Sequence, residues 1–325
     1  MSPLVSVVMG VRDAGDRLAP TLESVLSQED VDLELVVVDD GSRDGSGALL
    51  GEWAARDARV RLIHQPELGL TEALIRGCSE ARGGFIARQD AADRSRPGRL
   101  ARQARALELD PGLAFVSCWT EYRGPELEYL YTTRDSGKAR EPADVIVEGG
   151  DTPALADGPT HHGSVMFRKE HYERAGGYRR EFFLAQDRDL WFRLAEVGRY
   201  QALPEALYVA LVLPASRSSS FRDVQHRLGS LARRAFELRR AGRSEREVLE
   251  LAASLRPQEL ADTPRRLAGA HYFIGEALRR NGDSRCLRYF RRAVRANPLH
   301  AAGWARLVQA SATSVLGGWS IRTSG

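Results

Sequence analysis

The sequence predicts an α/β fold in which a mostly parallel sheet is flanked by helices and followed by a small all-helical extension. Two patterns support this prediction. Short β-branched runs alternate with amphipathic segments in the first part of the chain, and the pattern becomes continuously helical after about residue 220. We therefore expect two domains, one from residue 1 to 220 and one from residue 221 to 325.

The alternation of strands and helices can be followed in order along the chain. Residues 5–9 form an apolar strand, and residues 14–28 carry Leu18, Leu22 and Val25 at the spacing of one helix face. The strand predicted at 33–38 is apolar throughout, which is typical of a parallel sheet covered on both faces. The remaining predicted elements are helix 47–56, strand 61–64, helix 71–82, strand 84–89, strand 113–119 and a loop-rich second binding surface over 121–159.

Composition and charge narrow the class of protein. The chain has 325 residues, of which 43% are hydrophobic, and no apolar stretch approaches the length that spans a bilayer. Because no basic-then-apolar leader is present, we expect a cytoplasmic protein with at most peripheral contact at the inner face of the membrane. Residues 222–325 hold 20 arginines against 9 acidic residues. Arginine spread along helices is typical of a solvated face, so we expect no nucleic acid partner.

Two adjacent carboxylates, Asp39 and Asp40, end the apolar strand at 33–38 and are followed by a Gly-Ser turn. Ligands of open α/β sheets bind at the carboxyl ends of the strands, where two acids can accept hydrogen bonds from a nucleobase imide or from ribose hydroxyls. A turn followed by a helix cap explains the same residues. The pattern leaves both interpretations open.

A second acidic cluster, Asp90-Ala91-Ala92-Asp93, follows the predicted strand at 84–89, and Pro97 indicates the start of the next helix. Closely spaced carboxylates suit Mg²⁺ or Mn²⁺, either of which would neutralise a diphosphate. Alternatively, Asp93 caps or charges the first turn of that helix. Spacing alone does not separate the two interpretations.

A third candidate, Asp187, lies near the start of an amphipathic helix in which Leu190 and Leu194 face the core. A carboxylate there can act as a general base towards an acceptor hydroxyl. It can equally stabilise the helix dipole, which would lower its pKa and weaken it as a base.

Eight segments together resemble a family 2 glycosyltransferase of the GT-A fold, over residues 4 to about 213. They are VSVVMGVR at 5–12, TLESVLSQ at 21–28, VVVDDGSRDGS at 36–46, GLTEAL at 69–74, DAAD at 90–93 with Pro97 and Arg99-Leu100, HGSVMFR at 162–168, GGY at 176–178 and QDRDLW at 186–191. Each segment alone is a weak signal, whereas their order is specific.

The resemblance implies an inverting transfer of a sugar from a nucleotide-diphosphate sugar, with a UDP-sugar as the expected donor, to a hydroxyl of a glycan or glycolipid. The implied site comprises Asp39 and Asp40 at the base and ribose, Gly10, Val11 and Arg12 as the wall beside the base, Asp90 near the donor, Asp90 and Asp93 as ligands of Mn²⁺ or Mg²⁺, Asp187 as general base, and His162 and Gln186 on the acceptor side.

The chain departs from the usual family pattern at several of these positions. Gly10 replaces a proline, Arg12 replaces an aromatic residue, Ala92 replaces an acid of the metal cluster, and Gln186 replaces a glutamate. The changes at Ala92 and Arg12 favour a second hypothesis, a catalytically degenerate scaffold that binds protein partners through its helical tail. A third class, the sugar nucleotidyltransferases, would need a richer glycine loop than residues 10–15 provide.

Residues 268–302 resemble one tetratricopeptide unit, in which Leu287, Phe290 and Val294 keep the helical spacing. Such a unit cannot bury its apolar face alone. It packs either on neighbouring helices or on a protein partner, and Trp319 is a candidate anchor at a partner or membrane surface.

Overall fold

The computed structural model describes residues 4–134, 159–214, 221–255 and 263–315, except for the side chains of Arg222 and residues 313–315. Most of the loop-rich surface predicted at 121–159, and Trp319, lie outside the described residues. The strands are β1 (Val5–Val11), β2 (Leu33–Asp40), β3 (Val60–Gln65), β4 (Phe85–Arg88), β5 (Arg94–Ser95), β6 (Leu113–Arg123), β7 (Tyr129–Thr133), β8 (Met166–Arg168) and β9 (Arg199–Leu211).

The helices follow the strands in the predicted alternation and then dominate the end of the chain. They are α1 (Leu18–Leu26), α2 (Ser46–Arg56), α3 (Leu70–Glu80), α4 (Arg99–Leu109), α5 (Lys169–Arg174), α6 (Gln186–Val197), α7 (Arg222–Arg240), α8 (Arg246–Ser254), α9 (Pro264–Arg280), α10 (Cys286–Ala296) and α11 (Ala301–Val315). Among the described ranges, no helix combines the length and apolar character needed to cross a bilayer.

The strands form one sheet with the order β3-β2-β1-β4-β8-β6-β9-β5, and β7 pairs with β6. The first four strands of this order are parallel, as predicted. The sequence analysis made no prediction of strand direction beyond β4. In the structure, β8 is antiparallel to both β4 and β6, and β5 is antiparallel to β9. The α/β prediction is confirmed. The carboxyl ends of β1, β2, β3 and β4 therefore meet at one edge of the sheet.

Burial on both faces explains why the central strands are apolar throughout. All eight residues of β2 are buried. Val36 faces one apolar core, whereas its neighbours Leu35 and Val37 face the core on the other side of the sheet. Because side chains alternate along a strand, each additional apolar residue contributes to one core or the other, at roughly 1.5–3 kcal/mol per fully buried side chain.

The chain divides into two compact units. The first contains Met1–Thr120, Thr133–Ala210 and Asp223–Arg256, and the second contains Glu121–Thr132, Leu211–Arg222 and Pro257–Gly325. This division differs from the predicted boundary after residue 220, because α7 and α8 pack with the first unit. Whether either unit folds as an independent domain remains a prediction.

The second unit has an apolar core of its own between α9, α10 and α11. Gly275 on α9 allows a close approach of α10, since a Cβ at that position would lie 2.8 Å from the Phe290 ring. Tyr289 is buried on α10 and donates a hydrogen bond of 2.7 Å to the buried Glu128. The predicted helical extension is therefore confirmed, whereas its tetratricopeptide character remains a prediction.

Candidate active site

The acids at the end of β2 are engaged with neighbouring loops. Asp40 is only 2% exposed. Its carboxylate accepts hydrogen bonds from the backbone N–H groups of Leu68 (2.8 Å) and Gly69 (2.9 Å) and from the Gln65 side-chain amide (2.7 Å). These three bonds fix the segment between β3 and α3. The role of Asp40 in binding a nucleobase remains a prediction.

Asp39 is also buried and partnered. Its carboxylate accepts a hydrogen bond from the backbone N–H of Ser42 (3.0 Å) and lies 3.2 Å from Nδ1 of His64. The Ser42 bond closes the turn after β2, where Gly41 has a φ of +73° that favours glycine. Asp39 thus shapes the same edge of the sheet on which its predicted contact with the base depends.

Residues 43–46, which follow Gly41 and Ser42, form hydrogen bonds with the loop after β1. Asp44 accepts a hydrogen bond of 2.8 Å from the backbone N–H of Gly15, and the Ser46 hydroxyl accepts one of 3.0 Å from that of Ala14. In the other direction, the Arg43 backbone N–H donates to the Asp13 carboxylate at 2.7 Å. The turn after β2 therefore holds the loop after β1 in place through these three hydrogen bonds.

The predicted wall beside the base lies at the end of β1. Gly10 gives α3 room to pack, because a Cβ there would lie 3.0 Å from the Leu70 side chain. Arg12 forms an ion pair with Glu67, which also lies 3.6 Å from Arg43. The sequence analysis missed Glu67, since no local pattern distinguishes it from other loop acids.

The second acidic cluster gains a histidine in the fold. Asp90, Asp93 and His161 each place one ligand atom within 4.8 Å of the others. Nε2 of His161 lies 3.5 Å from Asp93, and its Nδ1 lies 3.9 Å from Asp90. The two carboxylates suit Mn²⁺ or Mg²⁺, whereas the imidazole suits a softer ion than Mg²⁺. Nδ1 now accepts a hydrogen bond from the Gly163 backbone N–H (3.1 Å), so a cation that bound His161 would compete for the ring's single lone pair.

A buried arginine lies against this cluster. Arg88 is fully buried at the end of β4, and its guanidinium donates to the Asp90 carboxylate at 2.8 Å. Burial by itself would raise the pKa of Asp90, but the positive charge of Arg88, with contributions from His161 and His162, lowers it instead. Asp90 is therefore a carboxylate at neutral pH. Sequence reasoning missed Arg88, although its position two residues before Asp90 was a usable signal.

Tyr208 on β9 supports the loop that carries Asp90. The backbone N–H of Asp90 donates a hydrogen bond of 3.1 Å to the Tyr208 hydroxyl, which also lies 3.4 Å from the Gln89 amide. Gly163 makes this arrangement possible, because a Cβ at that position would overlap the Tyr208 hydroxyl. Tyr208 was not predicted, since nothing in the sequence indicates that β9 passes beside β4 residues.

Asp187 lies in the first turn of α6, partly buried. Burial raises its pKa, and the negative charge of Asp90 adds to that effect, although the Arg188 backbone N–H that donates to Asp187 at 2.8 Å acts in the opposite direction. Beside it, the Oε1 atom of Gln186 is buried with no hydrogen-bond partner among the described residues. An oxygen left unpaired in this way is costly unless a ligand hydroxyl satisfies it.

His162 contacts Arg88 and Tyr178 rather than the two carboxylates beside His161. Its Nε2 atom lies 2.7 Å from the Tyr178 hydroxyl and 3.3 Å from Nε of Arg88, and its ring meets the edge of Trp191. Burial, and then the charge of Arg88, lower the pKa of His162 well below its ordinary value, so the ring is neutral. His162 thus lies between Arg88 of the acid cluster and α6.

Comparison with solved structures establishes the class of the fold. The chain aligns with the mannosyltransferase PcManGT from Pyrobaculum calidifontis in complex with GDP-Man and Mn²⁺, with a TM-score of 0.56 and 19% identity, covering 99% of this chain and 89% of that one. It aligns with residues 1–349 of S. aureus TarS in complex with UDP, with a TM-score of 0.52 and 14% identity, covering 96% and 91%. The fold is GT-A.

Sequence comparison establishes the family. The model of the glycosyl transferase family 2 matches residues 6–176. The putative glycosyltransferase EpsE of Bacillus subtilis (strain 168) is 34% identical over 212 residues, which cover 63% of this chain and 72% of that protein. The chain therefore belongs to glycosyl transferase family 2 and is a glycosyltransferase.

Proposed function

We propose that the protein transfers a sugar, with inversion, from a nucleoside-diphosphate sugar to a hydroxyl of a glycan or glycolipid acceptor. The observation that carries the proposal is the group formed by Asp90, Asp93 and His161, whose ligand atoms lie within 4.8 Å in a chain of this family. These residues would hold Mn²⁺ or Mg²⁺. A divalent cation there would supply positive charge for the diphosphate leaving group.

In this proposal, residues of α6 act on the acceptor. Asp187 takes the proton of the acceptor hydroxyl while that oxygen bonds to the anomeric carbon. The bond from the anomeric carbon to the diphosphate oxygen breaks, and the nucleoside diphosphate leaves. The raised pKa of Asp187, which burial causes, makes it a stronger base than an exposed aspartate. Gln186 supplies its unpaired oxygen to a sugar hydroxyl on the acceptor side.

Support for the donor class comes from the structural neighbours, one complexed with GDP-Man and one with UDP. We propose that Asp39, Asp40 and residues 10–12 form the nucleotide edge, and we retain UDP-sugars as the first donors to test. A cytoplasmic location, contact with the inner face of the membrane and a protein partner for the C-terminal helices remain predictions.

The proposal is tested with a panel of UDP- and GDP-sugars, with and without Mn²⁺, by thermal shift and by donor turnover. We expect one donor class to stabilise the protein and to be turned over only with the cation. If no nucleotide binds and no donor is turned over, the degenerate scaffold is the better hypothesis, as the alanine at position 92 would suggest.

The role of Asp187 is tested separately with Asp187→Asn. We expect turnover to fall by roughly a thousandfold, since general base catalysis typically contributes about 10²–10⁴-fold, while nucleotide binding is unchanged. In the wild type, turnover should fall at low pH as Asp187 is protonated. The midpoint of that fall should lie above the pKa of an ordinary aspartate, about 3.9. Equal loss of binding and turnover in the variant would remove Asp187 from the base role.

A further inference from the structure

We propose that Glu245, immediately before α8, is a positioning residue that holds the first turn of α6, and with it Asp187, through Arg179 and Asp189. This inference rests on the proposed role of Asp187 as the general base. It assigns a function to α7 and α8, which the sequence analysis placed in the extension and which lie beyond the family match at residues 6–176.

Apolar packing first brings α7 against α6. The ring of Phe236 stacks on that of Phe192, with centroids 5.1 Å apart. Leu228 and Ala232 of α7 belong to the same buried core as Leu190 of α6. α7 also passes close to the residue after Asp187, because a Cβ at Gly229 would lie 2.9 Å from the Arg188 guanidinium. The two helices therefore share one packed interface.

A buried chain of charges then links α8 to the first turn of α6. Asp189 has a side chain only 1% exposed and accepts hydrogen bonds from Arg179 (3.0 Å) and Arg193 (3.1 Å). Arg179, 16% exposed, reaches in the other direction and donates to Glu245 at 2.8 Å. Glu245 is 20% exposed and also pairs with Arg239.

Charge balance makes Glu245 the critical member of this chain. Arg239 also donates to Glu196 at the other end of α6 (2.8 Å), so the network contains three arginines and three carboxylates. Without Glu245, two arginines share the single charge of Asp189. An uncompensated buried charge is costly, and the structure relieves that cost by moving the group towards water. The movement would pull Asp189, two residues from Asp187.

Catalysis depends on such small displacements. A misplacement of about 1 Å at a reacting group can reduce a rate by roughly a hundredfold. Glu245 itself lies on a different helix from Asp187 and touches Arg179 rather than any residue of the proposed site. Its effect on turnover should therefore appear in kcat and leave donor binding unchanged.

The experiment compares Glu245→Gln with Glu250→Gln. Glu250 is on the same helix, but its ion pair with Arg246 is exposed, with side chains 62% and 84% accessible. For Glu245→Gln we expect kcat of donor turnover to fall about tenfold with KM within about twofold, and faster hydrogen exchange in the first turn of α6. The control should match the wild type, and Glu245→Asp, which keeps the charge, should recover part of kcat.

The outcomes separate this inference from the proposed function. If the wild type turns over a donor and both glutamine variants do so equally, the positioning role is wrong while the proposed function stands. A lower Tm with unchanged kcat would likewise reduce Glu245 to a structural residue. If the wild type turns over no donor, hydrogen exchange decides: unchanged protection of α6 in Glu245→Gln overturns the inference.

Discussion

The two acidic clusters at the ends of β2 and β4 look alike in the sequence but differ in what their carboxylates contact. At β2, Asp40 accepts hydrogen bonds from the side-chain amide of Gln65 at the end of β3 and from two backbone N–H groups of the loop that follows. At β4, Asp90 and Asp93 face titratable side chains, with His161 between them and Arg88 behind. The contacts of Asp40 hold the loop after β3 in place, whereas those of Asp90 and Asp93 bring several charged and ionisable side chains together.

This difference shows that the two clusters would bind a ligand in different ways. Asp40 would use the acceptor capacity that its three hydrogen bonds leave free, whereas Asp90 and Asp93 would share a cation with His161. The backbone N–H groups of Leu68 and Gly69 already donate to Asp40, so a ligand that displaced them would have to break two hydrogen bonds. An imidazole and two carboxylates are themselves metal ligands, and a cation there would compete with the Gly163 N–H for His161 and with Arg88 for Asp90. Four substitutions sharpen the comparison.

The largest expected effect comes from Asp93→Asn. A neutral amide is a weaker ligand for a hard cation, so we expect metal-dependent turnover to fall by at least about a hundredfold without loss of the fold. Initial rates measured against Mn²⁺ concentration test this. The matched control is Asp44→Asn in the β2 cluster, which should stay within about twofold. An equal loss in both variants would mean that the clusters do not differ as described.

Asp40→Ala is expected to act on stability instead. It removes the acceptor of two N–H groups in the segment after β3, and because water can reach this segment we expect a cost of about 1–2 kcal/mol. Urea unfolding measures this, with the exposed Glu29→Ala as the control. If stability is unchanged while the nucleotide-induced thermal shift disappears, then Asp40 serves the nucleotide rather than the loop.

Tyr208→Phe tests the support of the β4 cluster. The change removes the acceptor of the Asp90 backbone N–H and keeps the ring, so we expect about tenfold weaker activation by Mn²⁺. The exposed Tyr129→Phe is the control. An unchanged Mn²⁺ dependence would show that the loop of Asp90 holds its shape without the hydroxyl.

The smallest effect is expected from Asp44→Asn on stability as pH changes. Hydrogen bonds from Ser46, with a further one from Gly15, lower the pKa of Asp44. A lowered pKa gives stability that is present above the unfolded-state pKa and lost as pH falls through the folded-state value. The exposed carboxylate limits the effect to about 0.5 kcal/mol at pH 7. The difference from the wild type should shrink towards pH 3 in urea unfolding, and a difference that persists there would contradict the assignment.

The sequence predicted the parallel half of the sheet because its strands carry short apolar runs that alternate with amphipathic segments, most clearly Val36-Val37-Val38 of β2. The predicted strand at 33–38 agrees with β2 to within two residues. It did not predict β8, which has only three residues, or the pairing of β5 with β9. Short strands carry no periodic signal, and their pairing depends on segments far apart in the chain.

The candidate site shows the same limit at the level of single residues. The resemblance placed His162 on the acceptor side, and no sequence signal pointed to its neighbour His161, which joins Asp90 and Asp93. His161 is in an extended conformation, whereas His162 begins a short 3₁₀ helix, and it is the His161 side chain that reaches the acids. Which of them does so depends on how the segment is anchored between β4 and β6.

The sequence by itself determined the α/β class, the family and the strand ends at which acids gather, because hydrophobic periodicity and motif order are local properties of the chain. Only the tertiary structure decided that a histidine joins the acids after β4, that Arg88 and Tyr208 support Asp90, and that α7 and α8 pack against α6. Those outcomes depend on distances between segments separated by tens to more than a hundred residues. Burial and charge balance at such contacts are set when the chain packs, and no local pattern encodes them.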